Sequence, residues 1–257
     1  MKSLSAILRI GFLEVLYMKK WNKLLPLLPA YFIIIALCLF IGIGGSRVLT
    51  AMSDSAAFTE RHTIILDAGH GGEDGGATSC TGILESSYNL DITRRLNDLL
   101  HLMGFKTKMI RTTDISVYTQ GSTIAEKKVS DLKERARIAN TTENGIFVSI
   151  HQNYFTQAQY SGAQVFYNNH PDSKIFAQNL QTIFVNNLNI GSNRTAKKAD
   201  SVYLMKKVNC PAILIECGFL SNTDEEALLR SVGYQKNLCC VIATGISQHL
   251  SSRKTLS

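Results

Sequence analysis

An α/β domain, with a central, mostly parallel twisted sheet of about six strands, helices on both faces and an N-terminal transmembrane helix ahead of it, is what this sequence predicts. Three observations predict it. Short β-branched apolar runs alternate with stretches whose apolar residues recur at helical spacing. Three of those runs lead into an ionisable side chain: Thr63–Leu66 into a glycine-rich turn holding His70, Gly145–Ile150 into His151, and Ala212–Ile215 into Glu216. Finally, Leu24 to Gly45 carries no charge over 22 residues, and a helix of that length covers about 33 Å, the thickness of a bilayer core.

Residues 1–23 read as a basic cytoplasmic segment and 24–45 as the membrane span. Lys19, Lys20 and Lys23 precede the span and only Arg47 follows closely, which keeps the N-terminus inside and sends the remainder outward. The apolar region of a cleaved secretory signal is shorter, about 7–15 residues, so an uncleaved signal anchor is favoured. Small polar residues at 46–60 read as a linker, 61–251 as the folded domain and 252–257 as a tail.

Within the domain, Thr63–Leu66 is the first strand, and Leu84–Leu100 is a helix on the spacing of Leu90, Ile92, Leu96, Leu99 and Leu100, ended by Gly104. Phe105–Ile110 is the second strand, Arg111–Lys128 a polar loop, and Ser130 is placed to cap a helix running to Asn140. Gly145–Ile150 and Gly162–Tyr167 are strands, and Ser173–Leu188 is a helix with a core-facing stripe. A basic loop with Arg194, Lys197 and Lys198 leads through the short segment Val202–Met205 to the Glu216 strand. Thr223 with Glu226 reads as a capping box, and Tyr234–Leu250 is the last helix.

Composition excludes several classes. The chain of 257 residues is 45% hydrophobic and 18% charged, as folded proteins are. Of the formal charge of +7, Lys2, Arg9, Lys19, Lys20 and Lys23 against Glu14 supply +4, leaving +3 for the rest. That residue of charge is too small and unclustered for nucleic-acid binding, though compatible with an anionic wall polymer. The 6 cysteines show no CxxC spacing, so neither a disulfide framework nor a cysteine zinc site is indicated, and most read as buried thiols.

In open α/β sheets ligands bind beyond the carboxyl ends of strands. A single His there is more often a hydrogen-bonded loop residue than a ligand, but His70, His151 and Glu216 in one domain shift that balance. Two imidazoles with a carboxylate are the ligand set of a catalytic zinc that keeps one position open. Asp67, Glu73, Asp74 and Glu85 are all candidates for the third ligand, and spacing does not choose among them. Asp67 is equally placed to orient a histidine from behind. Arg135 and Arg111 read as members of surface ion pairs.

The segments Leu66-Asp-Ala-Gly-His-Gly-Gly72, Gly82-Ile-Leu-Glu85, Arg135-Ala-Arg-Ile-Ala-Asn140, Ser149-Ile-His-Gln-Asn153 and Ile215-Glu-Cys-Gly-Phe-Leu-Ser-Asn222 resemble, in order, the motifs of the zinc-dependent N-acetylmuramoyl-L-alanine amidases of the type 3 family. The resemblance runs from about Thr63 to Leu250 and looks most like the small amidases that act on the spore cortex of spore-forming bacteria. It implies that His70, Glu85 and His151 bind Zn2+, that Glu216 is the catalytic carboxylate, and that the substrate is peptidoglycan. Cys217 and Gln152 depart from the usual motif residues; neither is an implied ligand. No wall-binding repeat follows Leu250, so the anchor is expected to hold a monomeric enzyme near the wall. Another zinc amidohydrolase, such as a wall-sugar deacetylase or a peptidase, and a non-catalytic wall-binding domain are the alternatives.

Overall fold

A computed structural model of the chain describes residues 62–254. The segments read as cytoplasmic, membrane-spanning and linking lie outside them, and among the described residues no helix is long and apolar enough to cross a membrane. The strands are β1 (Thr63–Ala68), β2 (Lys106–Met109), β3 (Gly145–Asn153), β4 (Gln164–Tyr167), β5 (Lys197–Lys198) and β6 (Ala212–Phe219). The helices are α1 (Glu85–Leu102), α2 (Ile124–Thr141), α3 (Pro171–Asn187), α4 (Tyr203–Lys207), α5 (Thr223–Arg230) and α6 (Val232–Lys254).

The strands form one sheet in the order β2-β1-β3-β6-β4-β5. All neighbours are parallel except β4 and β6. The exception has a local cause: no helix lies between β3 and β4, so the chain returns in the opposite direction, whereas a parallel return needs a crossover. Every residue of β1 is buried, and β3 and β6 nearly so, which is why these strands read as unbroken apolar runs. Alternate residues feed two cores. Ile64, Val148 and Ile215 pack with α1, α3 and α6, while Ile65, Phe147 and Leu214 pack with α2 and α4, so helices cover both faces. Each fully buried aliphatic side chain contributes about 1.5–3 kcal/mol.

Local departures from the sequence reading have identifiable reasons. Helix α2 starts six residues earlier than Ser130 because Thr123 and Glu126 form the capping box, while Ser130 Oγ accepts from the Thr119 and Gln120 amides. The exposed first turns of α2 hide this start from any apolar pattern. Helix α5 is capped by Asn222, not by Thr223, and Glu226 turns inward to accept from the Thr81 and Tyr88 hydroxyls at 2.5 Å each. Lys197 and Lys198, read as loop, pair with β4. Gly104 ends α1 at φ +82°, a conformation that disfavours any side chain. Of the described cysteines, Cys217 and Cys239 are buried as expected, but Cys80 and Cys240 are exposed.

Candidate active site

Strands β1, β3 and β6 lie side by side, and their registry places His151 directly beside Glu216 and Asp67 beside Ser149. These four side chains project from the same face. His70 follows β1 in the tight turn, at φ +61°, a backbone conformation that non-glycine residues rarely take. Glu85 arrives from the other core side as the first residue of α1, where the positive end of the helix favours its charge. Gly69 makes the convergence possible, since a Cβ at that position would run into the His151 ring.

Glu85 sits between the two histidines. Its Oε2 lies 3.3 Å from His70 Nε2 and its Oε1 lies 3.0 Å from His151 Nδ1. The imidazoles meet edge to face with centroids 5.0 Å apart. The amides of Ala77 and Gln152 donate to the two Glu85 oxygens at 3.0 and 3.1 Å, and Asn89 Nδ2 donates to Oε1 at 3.2 Å. Burial raises the Glu85 pKa, but hydrogen bonds from both histidines outweigh it and hold the carboxyl well below the usual carboxylate range. Burial alone lowers the His70 pKa, yet Asp74 and Glu85 raise it to about 9.

Glu216 has a different environment. Its Oε2 is buried without a hydrogen-bond partner. Burial pushes the carboxyl up to about 7, with Glu85 adding to the rise and His151 and His70 opposing it. The site therefore pairs one carboxylate fixed in the ionised form with a second poised near neutrality.

One donor atom from each of His70, Glu85 and His151 lies within 4.8 Å of the others. The N-acetylmuramoyl-L-alanine amidase family model matches residues 64–248, which takes in all six described strands but for Thr63. The chain belongs to this family. It is 34% identical over 192 residues to the germination-specific N-acetylmuramoyl-L-alanine amidase of Bacillus subtilis (strain 168), covering 74% of this chain and 80% of the relative. The CwlD amidase of Clostridioides difficile, solved in complex with the GerS lipoprotein, superposes with a TM-score of 0.71 at 39% identity, covering 74% of this chain and 99% of that one. An N-acetylmuramoyl-L-alanine amidase of Clostridium difficile 630 superposes at 0.64 with 31% identity, covering 75% and 98%.

Amidases of this family depend on zinc, and the donor set of this amidase fits that ion. Ligand atoms about 2.0–2.1 Å from a tetrahedral zinc stand about 3.4 Å from one another; here the 3.0 and 3.3 Å spacings run to the two separate oxygens of Glu85, and one donor from each residue lies within 4.8 Å of the others, so the three gather around one ion with a small inward movement. The other competitors for the third position are engaged elsewhere. Asp67 accepts from Arg135 and Ser149 at 2.5 and 2.7 Å, and Glu73 pairs with Lys127 at 2.7 Å. Asp74 Oδ2 instead takes the far nitrogen of His70, Nδ1, at 2.9 Å, which leaves Nε2 facing Glu85. Orientation of His70 thus comes from Asp74, while Asp67, left open by the sequence between ligand and orienting group, is bonded to Arg135 and Ser149.

Arg135 corrects the sequence reading more sharply. It is buried with 1% exposure, not part of a surface pair. Its guanidinium donates to Asp131 at 2.6 Å, Asp67 at 2.5 Å, the Ala68 carbonyl at 2.9 Å and the His70 carbonyl at 2.8 Å. Arg111, equally buried, donates to the carbonyls of Ala68, Gly69 and Ser86 at 2.8, 3.0 and 2.8 Å. Together they clamp the turn that carries His70 in its left-handed conformation. Both sit on or beside segments whose sequence is polar, which is why nothing in the spacing marked them.

Proposed function

We propose that His70, Glu85 and His151 hold the zinc of this amidase, that Glu216 is its general base, and that residues 24–45 anchor the domain on the outer side of a membrane. The observation that carries the reading is the buried, unpartnered Glu216 oxygen beside the His–Glu–His cluster. In the metal-free protein burial holds this carboxyl at about 7, and a cation bound beside it draws the value down toward the ionised form that a general base needs at neutral pH. Zinc bound by the cluster supplies Lewis acidity, acidifying water from a pKa of 15.7 to about 7 and polarising a carbonyl.

Glu216 takes the proton of the water that attacks the lactyl carbonyl of N-acetylmuramic acid and returns it to the departing amine of L-alanine. The products are a glycan with a free lactyl carboxyl and a peptide with a free amino terminus. The uncharged run at 24–45, with Lys19, Lys20 and Lys23 ahead of it, supports the anchored, outward-facing placement. Similarity to a germination-specific amidase supports work on the spore wall.

Glu216→Gln is expected to retain zinc and lose about 10²–10⁴-fold in turnover, whereas His70→Ala loses zinc and turnover together. Metal content and release of peptides beginning with L-alanine, read on the same preparations, decide the matter. A Glu216→Gln enzyme as active as the parent would falsify the base assignment. Release of acetate in place of peptide would instead favour a deacetylase.

A further inference from the structure

Beside the site runs a cleft of about 550 Å³ whose walls include Phe155, Tyr160, Phe219, Arg194 and Lys197. It adjoins the reacting groups through the sheet. Gln164, which lines it, is the cross-strand partner of Glu216; Asn153, also lining it, stands two residues past His151; Phe219 stands three past Glu216. The cleft is held in shape by its own bonds. The Phe155 amide donates to Ser221 Oγ, the Gly162 amide to Glu225 Oε1 at 2.6 Å, and the Leu220 amide to the Asn153 carbonyl at 2.8 Å. Tyr160 packs edge to face on Phe155 at 5.1 Å and stacks on Phe219 at 6.3 Å.

Arg194 is the fixed charge of this cleft. Its guanidinium lies over the Phe219 ring at 5.2 Å and is oriented by the Ser161 carbonyl, which accepts from Nε and Nη2 at 3.1 and 2.9 Å, and by Gln164 Oε1 at 3.4 Å from Nη1. Among the described residues it joins no ion pair within 4 Å, and neither does Lys197. Glu225, the acid that Arg194 feels electrostatically, is occupied by the Gly162 and Phe219 amides. A guanidinium has five N–H donors, so donors on Nη1 and Nη2 remain for a ligand.

We propose that this cleft binds the peptide side of the substrate, with Arg194 and Lys197 receiving a peptide carboxylate and the three aromatic rings covering its apolar parts. This rests on the amidase reading above. The choice of peptide over glycan follows from charge: the lactyl carboxyl of the sugar is consumed in the amide bond, whereas a peptide that is neither crosslinked nor amidated at its end keeps a free carboxylate. An oriented guanidinium on an aromatic ring suits a carboxylate, because such charge-assisted bonds are short and directional. The released peptide keeps that carboxylate and therefore also binds.

The test is calorimetric titration of the full-length protein, in detergent, with a short peptide beginning with L-alanine, its carboxylates either free or amidated. The free acid is expected to bind about 10-fold more tightly than the amide. Arg194→Gln should remove that preference and Lys197→Gln, at an exposed position on the cleft wall, should reduce it. The same pair of muramyl-peptide substrates should show the preference as a KM difference in the parent. Equal affinity of the parent for acid and amide, or an undiminished preference in both variants, overturns the proposal. Failure of the amidase reading looks different: no peptide is released from either substrate, while the binding preference still reports on the cleft.

Discussion

Removing Arg135 tests whether the turn holding His70 is built from inside. In Arg135→Met the long apolar stem is kept and the guanidinium is lost, leaving Asp67, which has no exposure, with Ser149 Oγ as its remaining side-chain partner. Stripping one partner from a buried charge pair costs about 3–5 kcal/mol, a large part of the roughly 5–15 kcal/mol that holds a domain together. The pH dependence gives the sign. In the parent, burial raises the Asp67 pKa but Arg135 and Ser149 outweigh it and lower it, so this carboxylate adds stability above its unfolded pKa of about 3.9 and loses it as pH falls. Without Arg135 burial dominates and the folded pKa rises, so the folded state binds the proton first and the variant gains stability on acidification where the parent does not. Urea unfolding of the metal-free proteins at several pH values reads both effects. Arg135→Met/Asp67→Asn should recover more than half of the loss. A single variant costing under about 1 kcal/mol, the worth of an exposed pair, would refute the reasoning, as would a double variant no better than the single.

Asp74→Ala should weaken zinc binding by about 10–100-fold, the usual effect of losing the group behind a metal-binding histidine; chelator competition measures it, and an unchanged affinity would separate Asp74 from the site. His249, buried and stacked on Phe176 at 4.3 Å, has a pKa lowered to about 4, chiefly by burial and then by Arg253. Because the unfolded chain binds the proton first, stability falls as pH drops from about 6.5 through about 4, by up to about 3 kcal/mol. His249→Phe should flatten that part of the parent's stability profile, and superimposable profiles would count against it.

The three strands were readable because buried parallel strands appear as continuous apolar runs, but two of their ends were not: β3 continues to Asn153 and β6 to Phe219, so His151 and Glu216 lie within the ladder and only His70 follows a strand end. The third member of the cluster was not. Which of Asp67, Glu73, Asp74 and Glu85 reaches His70 depends on the path of the turn between β1 and α1, and that path is set by Arg111, Gly69 and the Ala77 amide from distant or unremarkable positions. Only the motif resemblance singled out Glu85. Arg135 escaped for a related reason: a charged residue on a polar helix is ordinarily solvated, and nothing local reveals that α2 lies across Asp67. The aromatic cleft was equally invisible, since Phe155, Arg194 and Phe219 come from three separate segments.

The strand order has a consequence for when the site is first assembled. The segment that delivers Glu216 is the last strand of the chain to be made, yet it belongs in the middle of the sheet, wedged between β3 and β4. Until that keystone slides home, the two halves flanking the gap cannot join, and Glu216 is missing from beside the histidine pair. A nascent or partly unravelled chain thus carries the two histidines without Glu216 beside them, and the candidate site is completed only when the sheet itself closes.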